Sequence, residues 1–222
     1  MLKKYSFLFP CLFLLFFFLF VFTTRSQEEY ERGVIAVYFM EEQVGYEEYS
    51  WQSDETGYLL SVKGRLTKLV AIEIESLTIS LDKSFIPLQY HFKGSISGVE
   101  QEISSSIIDG RVENVIHALE QEQRITSKIR KDAFLLPSAV FSPYIVITKK
   151  FGCNLQKPIG LSAYIIPQIE IPFTLEPVEI FPCSLIMQLG TKLIELETDY
   201  EGNLVTLQIP SQNIRIVHRI VE

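Results

Sequence analysis

The sequence has few of the residues that usually carry out chemistry in proteins. Its 222 residues include 3 histidines, 3 cysteines and 1 tryptophan. It has no phosphate-binding glycine loop followed by lysine, and no dinucleotide-binding fingerprint. The segment GSISG, residues 94–98, has the spacing of a nucleophile elbow but carries Ile96 in place of the nucleophilic serine. These absences argue against the common hydrolases and nucleotide-binding enzymes.

Metal and general acid–base sites are not predicted either. His91, His117 and His218 lie far apart in strand-like runs, and none has a second ligand at the spacing of a metal site. We interpret them as residues of polar strand faces. The sequence therefore predicts no catalytic residue, no cofactor and no metal, and the expected protein is not an enzyme.

A cluster of four carboxylates lies near the start of the exported part. It consists of Glu41, Glu42, Glu47 and Glu48. A glycosidase needs two acids held at a defined distance on the same side of its substrate cleft. Adjacent residues of a strand point to opposite faces of the sheet. We therefore interpret the four residues as solvated charges.

The N-terminus has the three-part pattern of a secretory signal. Lys3 and Lys4 precede an apolar run over residues 7–22, and Thr24 and Ser26 place small side chains before a possible cleavage site. The run is long for a signal peptide and short for a membrane-spanning helix, so an uncleaved anchor is the alternative. Either version predicts an exported, periplasmic or otherwise extracytoplasmic protein, soluble after cleavage or anchored by residues 7–22.

Length and charge limit the domain organisation and the binding partners of the protein. We divide the chain into residues 1–26, a signal peptide or anchor, and residues 27–222, a single extracytoplasmic β domain. The formal charge of the full chain is −7. Removal of the three basic residues in 1–26 would make it −10, since that segment has no acidic residue. This charge disfavours nucleic acid and anionic membrane surfaces as partners, so membrane contact is expected only through the N-terminal segment.

Two cysteines fall in the exported part, Cys153 and Cys183. Export makes a disulfide between them chemically possible, and closing that loop would stabilise the fold by about 3–4 kcal/mol. Two free buried thiols fit the sequence equally well, because the sequence does not give their distance.

Alternation of apolar and polar residues dominates the exported part, for example over residues 86–93 and 205–209. Turn signals such as Asp109-Gly110 separate these runs, which predicts an antiparallel meander of about ten or more strands. The phase of the alternation slips near Glu75-Ser76, where a β-bulge would bend a long strand over residues 66–81. A second long run covers residues 183–198. We expect a mainly β fold with a strongly curved antiparallel sheet, a half-barrel or β-clam.

One short helix is predicted at residues 143–150. Ser142 can cap it, Pro143 suits the first position, and Gly152 suits the end. The β-branched middle of the segment has poor helix propensity, so packing against the sheet must hold the helix on the mouth of the half-barrel. The prolines of residues 158–182 then predict edge strands and bends.

The order of these elements resembles a known architecture. A strand ends near EEQVGYEEYSW (residues 41–51), a meander leads to a single helix, AYIIPQ (residues 163–168) follows, and the chain ends in a hairpin. This layout resembles secreted bacterial β-domains related to the lipoprotein carriers LolA and LolB and to LppX-like lipid carriers. The resemblance implies a half-barrel sheet around an apolar cavity with helices at its mouth. The single predicted helix departs from the multi-helix lid of the carriers, and no binding residue of theirs can be placed on this chain.

Two functions fit this layout. The first is a non-catalytic binding module that holds a lipid or other apolar small molecule in the half-barrel cavity. Its cover would be Phe141, Tyr144, Ile145, Ile147 and Phe151. The second is a structural or interaction domain of the cell envelope, with a filled core and a protein partner at the sheet edges or the proline-rich segment.

Overall fold

The computed structural model describes residues 29–181 and 183–220. Strands make up 65% of the structure, and fifteen of them form one sheet that is not closed. The predicted mainly β fold with a curved sheet and a short helix is confirmed. The predicted signal or anchor, residues 1–26, lies outside the described residues. Within the described ranges, no helix has the length and hydrophobicity needed to cross a membrane.

The strands follow one another along the chain with short connections. They are β1 (Glu29–Phe39), β2 (Glu42–Ser53), β3 (Gly57–Leu66), β4 (Ile72–Asp82), β5 (Pro87–Ile96), β6 (Val99–Ile108), β7 (Arg111–Ala118), β8 (Gln121–Lys128), β9 (Phe134–Leu135), β10 (Ile159–Ile165), β11 (Ile169–Pro177), β12 (Ser184–Leu189), β13 (Lys192–Thr198), β14 (Leu204–Ile209) and β15 (Ile214–Ile220). The helix α1 (Tyr144–Phe151) lies between β9 and β10.

The sheet consists of two meanders joined at its centre. Its strand order is β8-β7-β6-β5-β4-β3-β2-β1-β15-β14-β13-β12-β11-β10-β9. The first meander therefore runs outward from β1 and the second from β15. The two meet where β1 pairs antiparallel with β15, from Gly33 opposite Ile220 to Phe39 opposite Ile214. The short β9 pairs in parallel with β10, and all other described pairs are antiparallel.

Local sequence signals explain several of the connections. Asp109 and Gly110 both have positive φ, 51° and 73°, so the predicted primed turn joins β6 to β7. The predicted bulge is confirmed as well, because the β4–β5 register shifts between Ile74 and Ser76. These features add twist and bend to the first meander.

Two predicted long strands are wrong. Residues 66–81 are divided between the end of β3 and the strand β4, with a loop over residues 67–71. Residues 183–198 form the hairpin of β12 and β13, which turns at Gly190 with φ 58°. In both places apolar residues continue up to the connection, so hydrophobicity alone did not mark the break.

Prolines of the proline-rich segment lie at bends, as predicted, but the prediction that its strands are edge strands is wrong for β11. The strand β11 pairs with both β10 and β12. Pro172 lies within β11 opposite Ser162, while Pro167 lies in the turn before β11 and Pro177 is its last residue. Proline is disfavoured inside sheets because it lacks a backbone N–H donor, yet β11 contains one proline, Pro172, at an internal position.

The curvature of the sheet is visible in contacts between strands far apart in the strand order. On β7, the buried Asn114 donates hydrogen bonds to Tyr164 Oη on β10 at 2.8 Å and to the carbonyl of Pro167 at 2.9 Å. Ser105 on β6 donates to Asn114 Oδ1 at 2.7 Å. These bonds connect the outer part of the first meander to the outer part of the second, so the sheet curls around its interior.

The helix α1 occupies that interior. Its residues Tyr144–Thr148 are all buried, so several of its faces are covered. The predicted bounds are confirmed to within one residue. Packing offsets the poor propensity of the β-branched residues, as predicted. At its end, a Cβ on Gly152 would lie 2.9 Å from the Cα of Gly202, so glycine permits the close approach of this loop.

A disulfide joins Cys153, directly after α1, to Cys183, directly before β12. The two Cα atoms are 4.1 Å apart, and 30 residues separate them in sequence. The carbonyl of Cys183 also accepts a hydrogen bond from Thr198 N–H at 2.9 Å. The bridge therefore ties the end of the helix to the second meander.

Replacing both cysteines, Cys153→Ser with Cys183→Ser, should lower the free energy of unfolding by about 3–4 kcal/mol, because the unfolded chain regains the entropy of the closed loop. Urea denaturation followed by circular dichroism measures the loss. As a control, the wild-type protein under reductant should match the double variant. Equal stability of the oxidised wild type and the double variant would contradict the prediction.

Candidate functional site

An apolar cavity of about 420 Å³ lies beside the start of α1. It is lined by Leu69, Val70, Leu136, Pro137, Ser138, Ala139, Val140, Phe141, Tyr144, Ile165, Ile171, Leu189, Lys192, Ile194, Ile209, Gln212 and Ile214. Most of these side chains are aliphatic or aromatic, and Lys192 is the one charged residue among them. The volume and lining match those of small-molecule sites in proteins. We call this space the apolar cavity.

Both meanders contribute walls to the apolar cavity. The β3–β4 loop supplies Leu69 and Val70, and strands of the second meander supply all five lining isoleucines. The segment over residues 136–141, between β9 and α1, forms a cover. Leu136 N–H holds this cover by donating to the Tyr164 carbonyl at 3.0 Å.

The five predicted ligand or lid residues separate into two groups. Phe141 and Tyr144 line the apolar cavity. Ile145 and Ile147 are fully buried and are not among its lining residues. Phe151 packs with its ring centroid 6.0 Å from that of Phe134. Tyr144, the first residue of the helix, and the segment before it therefore line the cavity, while Ile145 and Ile147 pack in the core.

The cover is fixed by Glu47 on β2, a carboxylate with no exposed surface. Its oxygens accept hydrogen bonds from Phe141 N–H at 2.9 Å and from Ser142 N–H at 2.7 Å. The Ser142 hydroxyl also donates to Glu47. Ser142 thus does not cap α1 with its own side chain, and Pro143 occupies the N-cap position instead. The carboxylate satisfies the N–H groups just before the helix, where negative charge is favourable.

The prediction that Glu47 is a solvated charge is wrong. It lies in phase with the buried Tyr49 and Trp51 of β2, so its side chain points into the core. The neighbouring Glu48 is exposed, as the alternation requires. The two-residue period of β2 already indicated that Glu47 points inward. The N–H groups that satisfy its buried carboxylate belong to residues more than ninety positions later in the sequence.

Burial raises the pKa of Glu47 above its ordinary value, and the hydrogen bonds from Ser142 and Phe141 oppose this effect. Because burial makes the protonated form more favourable in the folded than in the unfolded protein, the contribution of this group to stability is greatest below its ordinary pKa. It declines as the pH rises through the raised value.

A second polar cluster surrounds the other end of α1. Lys149 Nζ pairs with Glu31 Oε2 at 2.6 Å and also donates to Asn203. The Tyr49 hydroxyl donates to Glu31 Oε1 at 2.6 Å and lies 2.7 Å from His218 Nε2. Burial, together with Glu31, raises the pKa of Tyr49, which keeps its hydroxyl a donor.

This cluster ties α1 to β1, β2 and β15, and its charged groups are already paired. His91 and His117 lie on partly or largely exposed strand positions, in agreement with the sequence interpretation. His218 differs from them, because it is half-buried against Tyr49 with ring centroids 5.4 Å apart. Burial lowers its pKa, while Glu31 opposes this effect.

Two other cavities have a different character. One is a surface cleft of about 400 Å³ lined by Glu100, Glu102, Glu120 and Glu122 together with Lys93 and His117. The other, of about 490 Å³, has a mixed lining of polar side chains that include Asp54, of two tyrosines, and of three leucines. Within residues 29–181 and 183–220, no group of three or more His, Cys, Asp or Glu side chains is arranged to hold a metal ion. The apolar cavity is therefore the candidate functional site.

Comparison of the chain with protein-family models, with curated proteins and with solved structures found no match. The function is therefore argued from the geometry of this chain.

Replacing Glu47 by alanine should lower the free energy of unfolding by about 2–5 kcal/mol, because two buried N–H groups lose their acceptor. Glu48→Ala, the exposed neighbour, is the matched control and should change stability by less than about 0.5 kcal/mol. Chemical denaturation measures both. With Glu47→Gln, the stability of the variant relative to the wild type should rise as the pH rises above about 4.5. A wild type that gains stability relative to Glu47→Gln over that range would contradict the assigned pKa direction.

Protonation of His218 should destabilise the fold, since its pKa is lower in the folded than in the unfolded protein. The stabilising contribution is present above about pH 6.5 and is lost as the pH falls through the lowered folded value. His218→Gln should therefore show a weaker decline in stability with acidification than the wild type, measured by urea denaturation at a series of pH values. The exposed His117→Gln is the control and should follow the wild type. Parallel curves for all three proteins would refute this role of His218.

Proposed function

We propose that this chain is a non-catalytic exported protein of the cell envelope that binds a lipid or another apolar molecule. The observation that supports this proposal is the apolar cavity between the curved sheet and the start of α1. Its volume of about 420 Å³ falls within the range of ligand sites, and most of its lining has no hydrogen-bonding side chain.

The cover also supports a binding role. Phe141 and Tyr144 lie on the cavity side of a segment whose backbone is held by Glu47. The space beside this anchored segment is a cleft partly open to solvent, of the kind in which proteins bind small molecules.

The rim suggests a route of entry. Leu69 and Val70 line the apolar cavity and are exposed by 45% and 38%. They lie in the β3–β4 loop, where Leu69 has a positive φ of 73°. Loops tolerate displacement more readily than paired strands. This loop is the part of the rim that would move when a ligand enters.

A second candidate function is protein binding in the envelope, and a different surface favours it. Ile180, Phe181 and Tyr200 are exposed by 82%, 64% and 86%. They lie in the β11–β12 and β13–β14 loops, which adjoin through the hydrogen bond from Thr198 N–H to the Cys183 carbonyl. Exposed aromatic and aliphatic side chains on adjoining loops are a feature of interaction sites. We call Ile180, Phe181 and Tyr200 the loop patch.

The binding function predicts that lauryl alcohol, a neutral single-chain ligand, binds the wild-type protein. Ala139→Trp should weaken this binding at least about tenfold, because Ala139 lines the apolar cavity and the indole would occupy it. Isothermal titration calorimetry measures the affinity. Leu189→Trp, at a second lining position, should act in the same way.

The matched control is Ala118→Trp, which makes the same change in the acidic surface cleft on β7 and should leave the affinity unchanged. Circular dichroism confirms that each variant folds. If neither lauryl alcohol nor lauric acid binds the folded wild type, the proposed binding function is wrong.

The loop patch predicts a protein partner in whole cells. A photo-crosslinking residue in place of the exposed Tyr200 should capture one defined envelope protein, and the same residue in place of the exposed Glu122 on β8 should not. Capture at both positions, or at neither, would remove the support for this second function.

A further inference from the structure

We propose that the ligand is a single-chain amphiphile with an anionic head, whose acyl chain fills the apolar cavity and whose head pairs with Lys192. This inference rests on the proposed binding function and specifies its ligand class. A carboxylate and a phosphate head share the required chemistry.

The position of Lys192 carries the argument. It is the first residue of β13, and residues two apart on a strand share a face. Lys192 is therefore in phase with Ile194 and Leu196, which are buried. Along the inward-facing row of β13, the apolar Leu196 and Ile194 are followed by the exposed Lys192, which is itself a lining residue of the cavity.

Lys192 differs from the other lining residues because it is the one that carries a charge. None of the cavity-lining residues is acidic, although the chain carries a net charge of −7. Lys192 forms no ion pair with any residue in the described ranges. The cavity mouth thus offers a positive charge without a protein counter-ion.

Other cations next to lining residues in sequence are already engaged. Lys68, beside Leu69, pairs with Glu42. Arg215, beside Ile214, pairs with Glu41 at 2.8 Å and lies over the ring of Tyr38. Lys192 is therefore the cation at this site that remains available for an anionic head. Gln212, also a lining residue, adds a neutral donor at the same site.

The volume guides the choice of chain length. A methylene group takes about as much space as a water molecule, ~30 Å³, so 420 Å³ corresponds to about fourteen carbons. A single chain close to the length of lauric acid is therefore a suitable probe.

Tyr144 provides the opposite orientation as an alternative. It is 8% exposed, it lines the apolar cavity, and its hydroxyl makes no hydrogen bond to the described residues. A head group buried beside Tyr144 would leave Lys192 without a role. The two orientations differ in which residue the affinity depends on.

The experiment compares lauric acid, lauryl phosphate and lauryl alcohol by isothermal titration calorimetry at neutral pH and low salt. Lys192→Met should weaken both anionic ligands about fivefold, the strength of an exposed ion pair, and leave lauryl alcohol unchanged. Lys192→Glu should weaken the anionic ligands at least about tenfold. Lys63→Glu, an exposed lysine on β3 away from the cavity lining, is the matched control and should change nothing.

The outcomes separate the two levels of the proposal. Failure of all three ligands to bind the wild type overturns the binding function together with this inference. Binding of all three with no dependence on Lys192 overturns the anionic head alone. Loss of lauric acid affinity in Tyr144→Phe but not in Lys192→Met reverses the orientation and also overturns it. Weaker binding of both lauric acid and lauryl phosphate to Lys192→Met, with lauryl alcohol unaffected, supports the inference. The anionic ligand that binds the wild type more tightly then identifies the head as carboxylate or phosphate.

Discussion

The buried carboxylate of Glu47 is the interaction on which the interior arrangement depends. It links the middle of β2 to the backbone just before α1, across more than ninety residues of sequence. A buried acid is costly unless its hydrogen bonds are satisfied, and here two N–H groups and one hydroxyl satisfy it. The start of the helix is thereby fixed, and with it the cover of the apolar cavity. The pair of Lys149 and Glu31 fixes the other end of the same helix.

Much of the fold could be predicted from local patterns, because each of those patterns has a local physical cause. Asp109-Gly110 makes its turn through its own backbone preferences, and the helix ends are marked by Pro143 and Gly152. The failures arise where distant residues decide. Glu47 can be buried because Phe141 and Ser142 donate hydrogen bonds to it, and β11 is internal because β12 pairs with it. Nothing near those positions in sequence reveals these partners.

The candidate site shows the same division. Phe141 and Tyr144 were predicted to face an apolar space, since they precede or begin an amphipathic helix, and they line it. Lys192 was not singled out, because a lysine at the start of a strand resembles any other surface lysine. Its significance becomes apparent only in the structure, where Lys192 lines the same cavity as Leu189 and Ile194. The proposed binding of an amphiphile rests on this apolar lining and on a lysine that is unpaired among the described residues.

The pairing of β1 with β15 has a consequence for how the protein is made. During synthesis β1 emerges first among the described strands, yet its second neighbour is the last strand of the sheet. One side of β1 therefore keeps its backbone donors and acceptors free until nearly the whole chain has been produced. An exposed strand edge of this kind invites pairing with other chains. The edge of β1 is therefore closed only when β15 pairs with it, and until then it is open to pairing with a second copy of the chain.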